Sequence, residues 1–246
     1  MFPDAASMTQ SDSKTPNALP ERSVEPEFDA PAMGSMDEDS ALALLQRADL
    51  APDSIEKLSK SAVTTSRKVK LALVRHPKTP RYVSLYVLRH LFTFDLMQVA
   101  LSPAVVGDLK MAAEETLIHR LETISAGEKL SLARRASGRV AGELLLDTEP
   151  RVMLAALENP RLTEALVIKA VLRNEASLAL VRALCSHSKW SLRREIRIAL
   201  LRNEHTPLEH AVEFAKSLPD DVVRSACETP RRKRSRTKAA TEPNQQ

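Results

Sequence analysis

A chain of 246 residues has room for one large domain or two small ones. Leucine supplies 34 residues, while aromatic residues number only eight and glycines five; this favours helix, argues against an all-β fold and leaves no room for a glycine-rich dinucleotide or phosphate loop. The formal net charge of +4 hides an asymmetry: residues 1–38 carry eight acidic and two basic side chains, and residues 229–246 carry six basic and one acidic.

In chain order, residues 1–38 come first, with five of the 15 prolines and no run of large apolar side chains. Such a segment buries too little surface to offset chain entropy and is predicted to be disordered. Its opening, MFPDAASMTQSDSK, has neither a basic start nor an apolar stretch of the secretory kind. Leu96–Gly107, the longest charge-free stretch near the middle, has only 12 residues, well short of the roughly 20 needed to span a bilayer. Cys185 and Cys227 are too few for a disulfide framework and read as reduced thiols. Together these features predict a cytoplasmic protein.

Residues 39–228 are rich in Leu, Ala and Val at helical spacing, and a helix is expected to begin at Pro52 with Asp53 and Glu56 favouring its positive end. Within this region a segment recurs: VKLALVRHPKTP from Val69, VMLAALENPRLT from Val152 and IRIALLRNEHTP from Ile196, with a fainter copy, LKMAAEET, from Leu109. The steps are 40, 43 and 44 residues, the period of two or three stacked helices. In each copy a helix should end at His76-Pro77 or Asn159-Pro160, where Asn can adopt a left-handed turn and Pro cannot continue the helix. The next helix should start at Thr79-Pro80 or Thr206-Pro207, with Thr as N-cap and Glu209 completing a capping box. Apolar residues surround the first helix of each copy, so it should be sandwiched between others, with Ala72, Ala155 and Ala199 as close-packing positions. Residues 229–246 self-repel and are predicted to be disordered like the head.

The pattern V-x-x-A-x-x-x-N/H-P-x-T-P resembles the leucine-rich repeat variant motif of bacterial proteins and, more broadly, the HEAT superhelix, over about residues 66–218. The resemblance implies an all-α solenoid of about four repeats between disordered N- and C-terminal tails. Some members of that family carry an N-terminal cysteine cluster for an iron–sulfur centre. This chain has no cysteine before Cys185, so no cofactor is implied.

The six histidines form no H-E-x-x-H, and His205 and His210, five apart, do not share a helical face. Two S-x-x-K matches, at Ser54 and Ser186, lack the companion motifs of the hydrolases that use them. No catalytic, metal or cofactor residue is therefore assigned, and the chain is not expected to be an enzyme. Basic residues are the remaining candidates for binding a partner or an anion. Lys70, Lys110 and Arg197 share one repeat position, broken by Met153, and would form a stripe if the repeats stack. Arg134 and Arg135, near Arg139, form one further group. Arg193 and Arg194, near Arg202 and Trp190, form another. The tail holds Arg231, Arg232, Lys233, Arg234, Arg236 and Lys238 without interleaved aromatics, which suits phosphates or another polyanion but not base stacking. The function expected from these features is a non-enzymatic scaffold whose partner is another protein. The second reading is weak, sequence-independent association with nucleic acid through the basic tail and the arginine groups of the repeats, carried mainly by the tail.

Overall fold

The computed structural model describes residues 36–228, so the head and tail, including Arg231 to Lys238, lie outside the described residues. Among the described residues there are fourteen α-helices and one short 3-10 turn, Ala62–Thr65, and no strand. The helices are α1 (Glu38–Leu45), α2 (Pro52–Ser59), α3 (Arg67–Arg75), α4 (Arg81–Arg89), α5 (Thr93–Leu101), α6 (Gly107–Arg120), α7 (Ala126–Arg135), α8 (Gly138–Leu144), α9 (Pro150–Leu157), α10 (Glu164–Val171), α11 (Leu178–Ser186), α12 (Arg194–Leu201), α13 (Leu208–Lys216) and α14 (Asp220–Glu228). Asp37, counted with the head from sequence, caps α1 by accepting from the Ser40 amide.

Helices of seven to fourteen residues are marginal alone in water, so packing must hold them. Each packs substantially only against helices one or two places away in the chain. The contacts two places apart run in series: α1 to α3 to α5, α7 to α9 to α11, and α4 through α6, α8, α10 and α12 to α14. The 40–44-residue sequence match therefore joins helices of different series, since α3 and α9 belong to one kind and α6 and α12 to the other. What recurs in the sequence is a helix with its corner. What recurs in packing is a pair of helices.

The apolar interior has two parts. A small cluster of Ala41, Leu45, Ile55, Leu58, Val69 and Leu73 lies under the first three helices, and a large one extends from Val74 to Phe214. Val69, Val152 and Ile196 are all buried, as the repeat predicts. The alanines differ from expectation: Ala199 is buried, but Ala72 and Ala155 are only half-buried. The close-packed position is the next one along, Leu73, Ala156 and Leu200, each with 0% exposure. It lies four residues after the first buried position, which puts both on one face of the helix.

The corners depart from the expected caps in one respect. Thr79 and Thr206 do not cap the helices that follow them; those helices begin after Pro80 and Pro207 without a side-chain cap, and no capping box forms at Glu209. Instead each hydroxyl donates backwards to a carbonyl six residues earlier, Thr79 to Leu73 and Thr206 to Leu200, both at 2.6 Å. Thr64 does the same to Leu58 at 2.8 Å. A helix leaves its last four carbonyls without partners, and the threonine relieves one of them. The true capping box lies elsewhere, at Ser125 and Glu128 opening α7.

A second corner device ties neighbouring pairs together. Asn159, fully buried, accepts the Arg161 amide at 2.8 Å and donates to the carbonyls of Ala133 at 2.7 Å and Ala136 at 3.2 Å. Asn203 accepts the His205 amide and donates to the Val171 carbonyl at 2.7 Å. The His76 ring accepts the Lys78 amide at Nδ1 and donates from Nε2 to the Arg47 carbonyl at 3.0 Å. His187 accepts the Lys189 amide in the same way and reaches Glu158 Oε1 at 3.1 Å. Each residue closes its own turn with one atom and grips an earlier turn, 23–32 residues back, with another. At the α7–α8 corner the backbones approach closely, for a Cβ added to Gly138 would meet the Arg161 carbonyl oxygen at 2.2 Å.

Replacing Asn159 by alanine leaves two buried carbonyls and one amide without their partner and should cost about 2–3 kcal/mol. Gly138→Ala should cost about 1–3 kcal/mol through backbone overlap. Urea unfolding followed by circular dichroism measures both. A loss below about 0.5 kcal/mol for Asn159→Ala would mean that backbone bonds alone hold the corner.

Candidate functional site

The basic residues singled out from sequence do not all meet. Lys70 lies on α3, Lys110 on α6 and Arg197 on α12. These helices form no packed row, because α3 packs on α1, α4 and α5, α6 on α4, α5 and α8, and α12 on α10, α13 and α14. Arg197 is also engaged within the fold. It donates to the Ser191 carbonyl and to the Ser217 hydroxyl, with its guanidinium 5.5 Å from the Phe214 ring centre.

Arg134 and Arg135 are, by contrast, brought into line with Arg193 and Arg194 by the corner device. α7 ends on Arg134 and Arg135, whose positive charge suits the negative end of the helix. Asn159 holds the α9–α10 corner against this one, and the Arg161 side chain donates to the Arg135 carbonyl at 3.2 Å. The α11–α12 corner is held against the α9–α10 corner in turn, through His187 to Glu158 and Trp190 Nε1 to the Leu157 carbonyl at 3.0 Å. Arg193 and Arg194 then open α12. Three corners in direct contact thus carry Arg134, Arg135, Arg161, Lys189, Arg193 and Arg194, all exposed.

The electrostatics of this edge are lopsided. Arg67, Lys129, Arg139 and Arg173 pair with Asp95, Asp147, Glu115 and Glu143. On the edge, Arg194 has Glu195 at 4.0 Å. Among the described residues no carboxylate pairs with Arg134, Arg135, Arg161, Lys189 or Arg193. Two of these cations rest on rings, Lys189 Nζ 4.0 Å from the Trp190 centre and the Arg135 guanidinium 6.0 Å from that of Phe94. A ring orients a cation without cancelling its charge. Adjacent helix axes pack about 8–10 Å apart, comparable to the Debye length of about 8 Å in physiological salt, so the potentials of successive corners reinforce one another.

Arg161 and Lys189 escaped the reading of the sequence because each is an isolated cation. The signal was in the corner itself. His76-Pro-Lys78, Asn159-Pro-Arg161, His187-Ser-Lys189 and Asn203-Glu-His205 all place a basic residue or histidine two positions after the bracketing side chain.

A second surface was not foreseen. α4 buries Val83, Val87 and Leu88 and turns Tyr82 and Tyr86 outwards at 58% and 65% exposure. These are the only tyrosines of the chain, and a spacing of four places them on one face. Tyr82 hydrogen-bonds Glu56, which raises its phenol above the usual value, and Tyr86 meets His90 edge to face at 4.9 Å. Just beyond, Phe92 is 64% exposed with the Arg67 guanidinium 5.8 Å above its ring.

Among the described residues no group of three or more His, Cys, Asp or Glu side chains could hold a metal ion, and no helix is long and apolar enough to cross a membrane. A shallow dimple is bounded by Gly142, Glu143, Leu166, Lys169, Ala170 and Arg173. No protein-family model, curated protein or solved structure matches this chain.

Both cysteines are free, Cys185 buried and Cys227 exposed. Burial, reinforced by the charge of Glu213, pushes the Cys185 thiol up to about 11, so its thiolate fraction at pH 8 is about one part in a thousand. Iodoacetamide at pH 8 should modify Cys227 in the native chain and Cys185 only after denaturant is added. Mass spectrometry of the alkylated peptides reads the order, and equal native rates would contradict the packing around α11.

Proposed function

We propose that this chain is a non-enzymatic, cytoplasmic scaffold of HEAT-like helical repeats, akin to the leucine-rich repeat variant proteins, that binds another protein through the outer face of α4. Packing between helices one and two places apart supports the superhelical part of this reading, because a solenoid repeat buries its faces only against its neighbours. The free thiols suit a reducing compartment.

The observation that carries the binding role is the exposure of Tyr82 and Tyr86. Both tyrosines of an aromatic-poor chain stand largely in solvent beside Phe92, Arg81 and Arg89, touching the rest of the fold through Glu56 and His90. Tyrosine, phenylalanine and arginine are the residue types enriched where protein interfaces bury their anchors. Two tyrosines on one rigid helix offer large contact area at low entropic cost, since each has only two side-chain torsions to fix.

Cross-linking and affinity capture from native cells, comparing the natural chain with the Tyr82→Ala/Tyr86→Ala variant, tests this. Loss of two anchors should weaken capture of the partner by on the order of 30-fold or more while leaving the melting curve unchanged. Undiminished capture by the double variant would remove α4 as the working surface.

A further inference from the structure

We infer that the edge formed by the α7–α8, α9–α10 and α11–α12 corners is a track for the phosphate backbone of nucleic acid, bound without regard to base sequence. The reasoning starts from what the corners have in common. The Asn159 and His187 brackets hold the three turns in one row, so the cations at their tips form a line of fixed order. That line reads Arg134 and Arg135, then Arg161, then Lys189, Arg193 and Arg194. Five of these six have no carboxylate partner among the described residues, although the same protein pairs many of its other cations.

The chemistry of the line favours a phosphodiester strand over an acidic protein segment. Protein ligands gain affinity from buried apolar anchors, and of the large apolar side chains on these three corners only Leu192 is exposed. A nucleic-acid backbone needs no such anchor. It offers a charge at every step, and each phosphate neutralised by Lys or Arg releases condensed counterions. The cations are also partly pre-positioned. Arg161 is tethered to the Arg135 carbonyl, Arg135 lies against Phe94 and Lys189 against Trp190, so less side-chain freedom is lost on contact. Nothing on the edge has the fixed bidentate geometry that reads base edges, so affinity should not depend on sequence. The Trp190 indole itself is buried and donates to Leu157, which leaves no ring free for stacking.

This site is independent of the α4 face and of the tail, and the test separates all three. Fluorescence anisotropy of labelled mixed-sequence 20-base-pair duplexes would be recorded across 50–200 mM salt with the full chain. Three variants are compared with it: a corner variant (Arg135→Gln, Arg161→Gln, Lys189→Gln, Arg193→Gln), a tail variant (Arg231→Gln, Arg232→Gln, Lys233→Gln, Arg234→Gln) and the α4 variant (Tyr82→Ala, Tyr86→Ala). The plot of log affinity against log salt should flatten by about four in the corner variant, roughly one for each phosphate contact removed. It should be unchanged in the α4 variant, and two unrelated duplex sequences should bind the natural chain equally. The charge-preserving set Arg135→Lys, Arg161→Lys, Lys189→Arg and Arg193→Lys keeps the slope if charge alone matters, and it stands in for the corner variant should that variant fail to fold by circular dichroism, in which case loss of the slope despite retained charge overturns the proposal. A slope that survives the corner changes, or disappears with the tail alone, overturns it as well. So does competition by polyglutamate or by phosphatidylserine vesicles as effective as that of unlabelled DNA at equal charge, which would give the edge to an acidic protein or a lipid surface.

Discussion

The structure depends on how buried helix ends find hydrogen-bond partners. Helices this short have a large share of their carbonyls near an end, and a buried carbonyl without a donor costs as much as a lost hydrogen bond. Asn159 answers this at one position by giving both of its amide protons to the turn of an earlier helix while its oxygen takes the amide of its own turn. An amide side chain can do this because it carries donors and an acceptor on one short, planar group. An imidazole that accepts at Nδ1 and reaches out with Nε2 does the same over a longer distance, which is the arrangement at His76 and His187. The corner residue is thus both the end of one helix pair and the fastening of the next.

Much of the helical content was legible because burial and period agree. Val69, Val152 and Ile196 lie in the interior as their spacing implies, and Pro52 opens a helix as its fixed backbone angle implies. The threonines were legible as corner residues but not in direction. A hydroxyl accepts as readily as it donates, so Thr79 and Thr206 could cap forwards or backwards from local sequence alone, and the choice belongs to the unsatisfied carbonyl behind each of them. Ala72 and Ala155, unlike Ala199, fall one place short of the close-packed position, and Leu71, Leu154 and Ile198 match in type while differing in environment, with Leu154 half in solvent.

The surfaces proposed for binding were less legible, for a reason of geometry. Arg134 with Arg135, and Arg193 with Arg194, stand out as neighbours in the chain, whereas Arg161 and Lys189 join them only through side chains that reach across two helices. Lys70, Lys110 and Arg197 make the opposite case: alike in sequence, they sit on helices that do not pack together. Tyr82 and Tyr86 stand in the sequence only as two of its eight aromatic residues, and only the burial of Val83 and Val87 behind them shows that they point outwards.

The division of the interior into two clusters has a consequence for how the chain comes apart. α3 contributes Val69 and Leu73 to the small cluster and Val74 to the large one, so it is the apolar seam through which the first two helices share in the cooperativity of the rest. Contacts confined to near neighbours make stability a sum of local interfaces, and the small cluster offers six buried side chains to hold α1 and α2. These two helices therefore form a foldon that opens early, exchanging their amide hydrogens on a faster clock than α7 to α12 while the corners behind them stay closed.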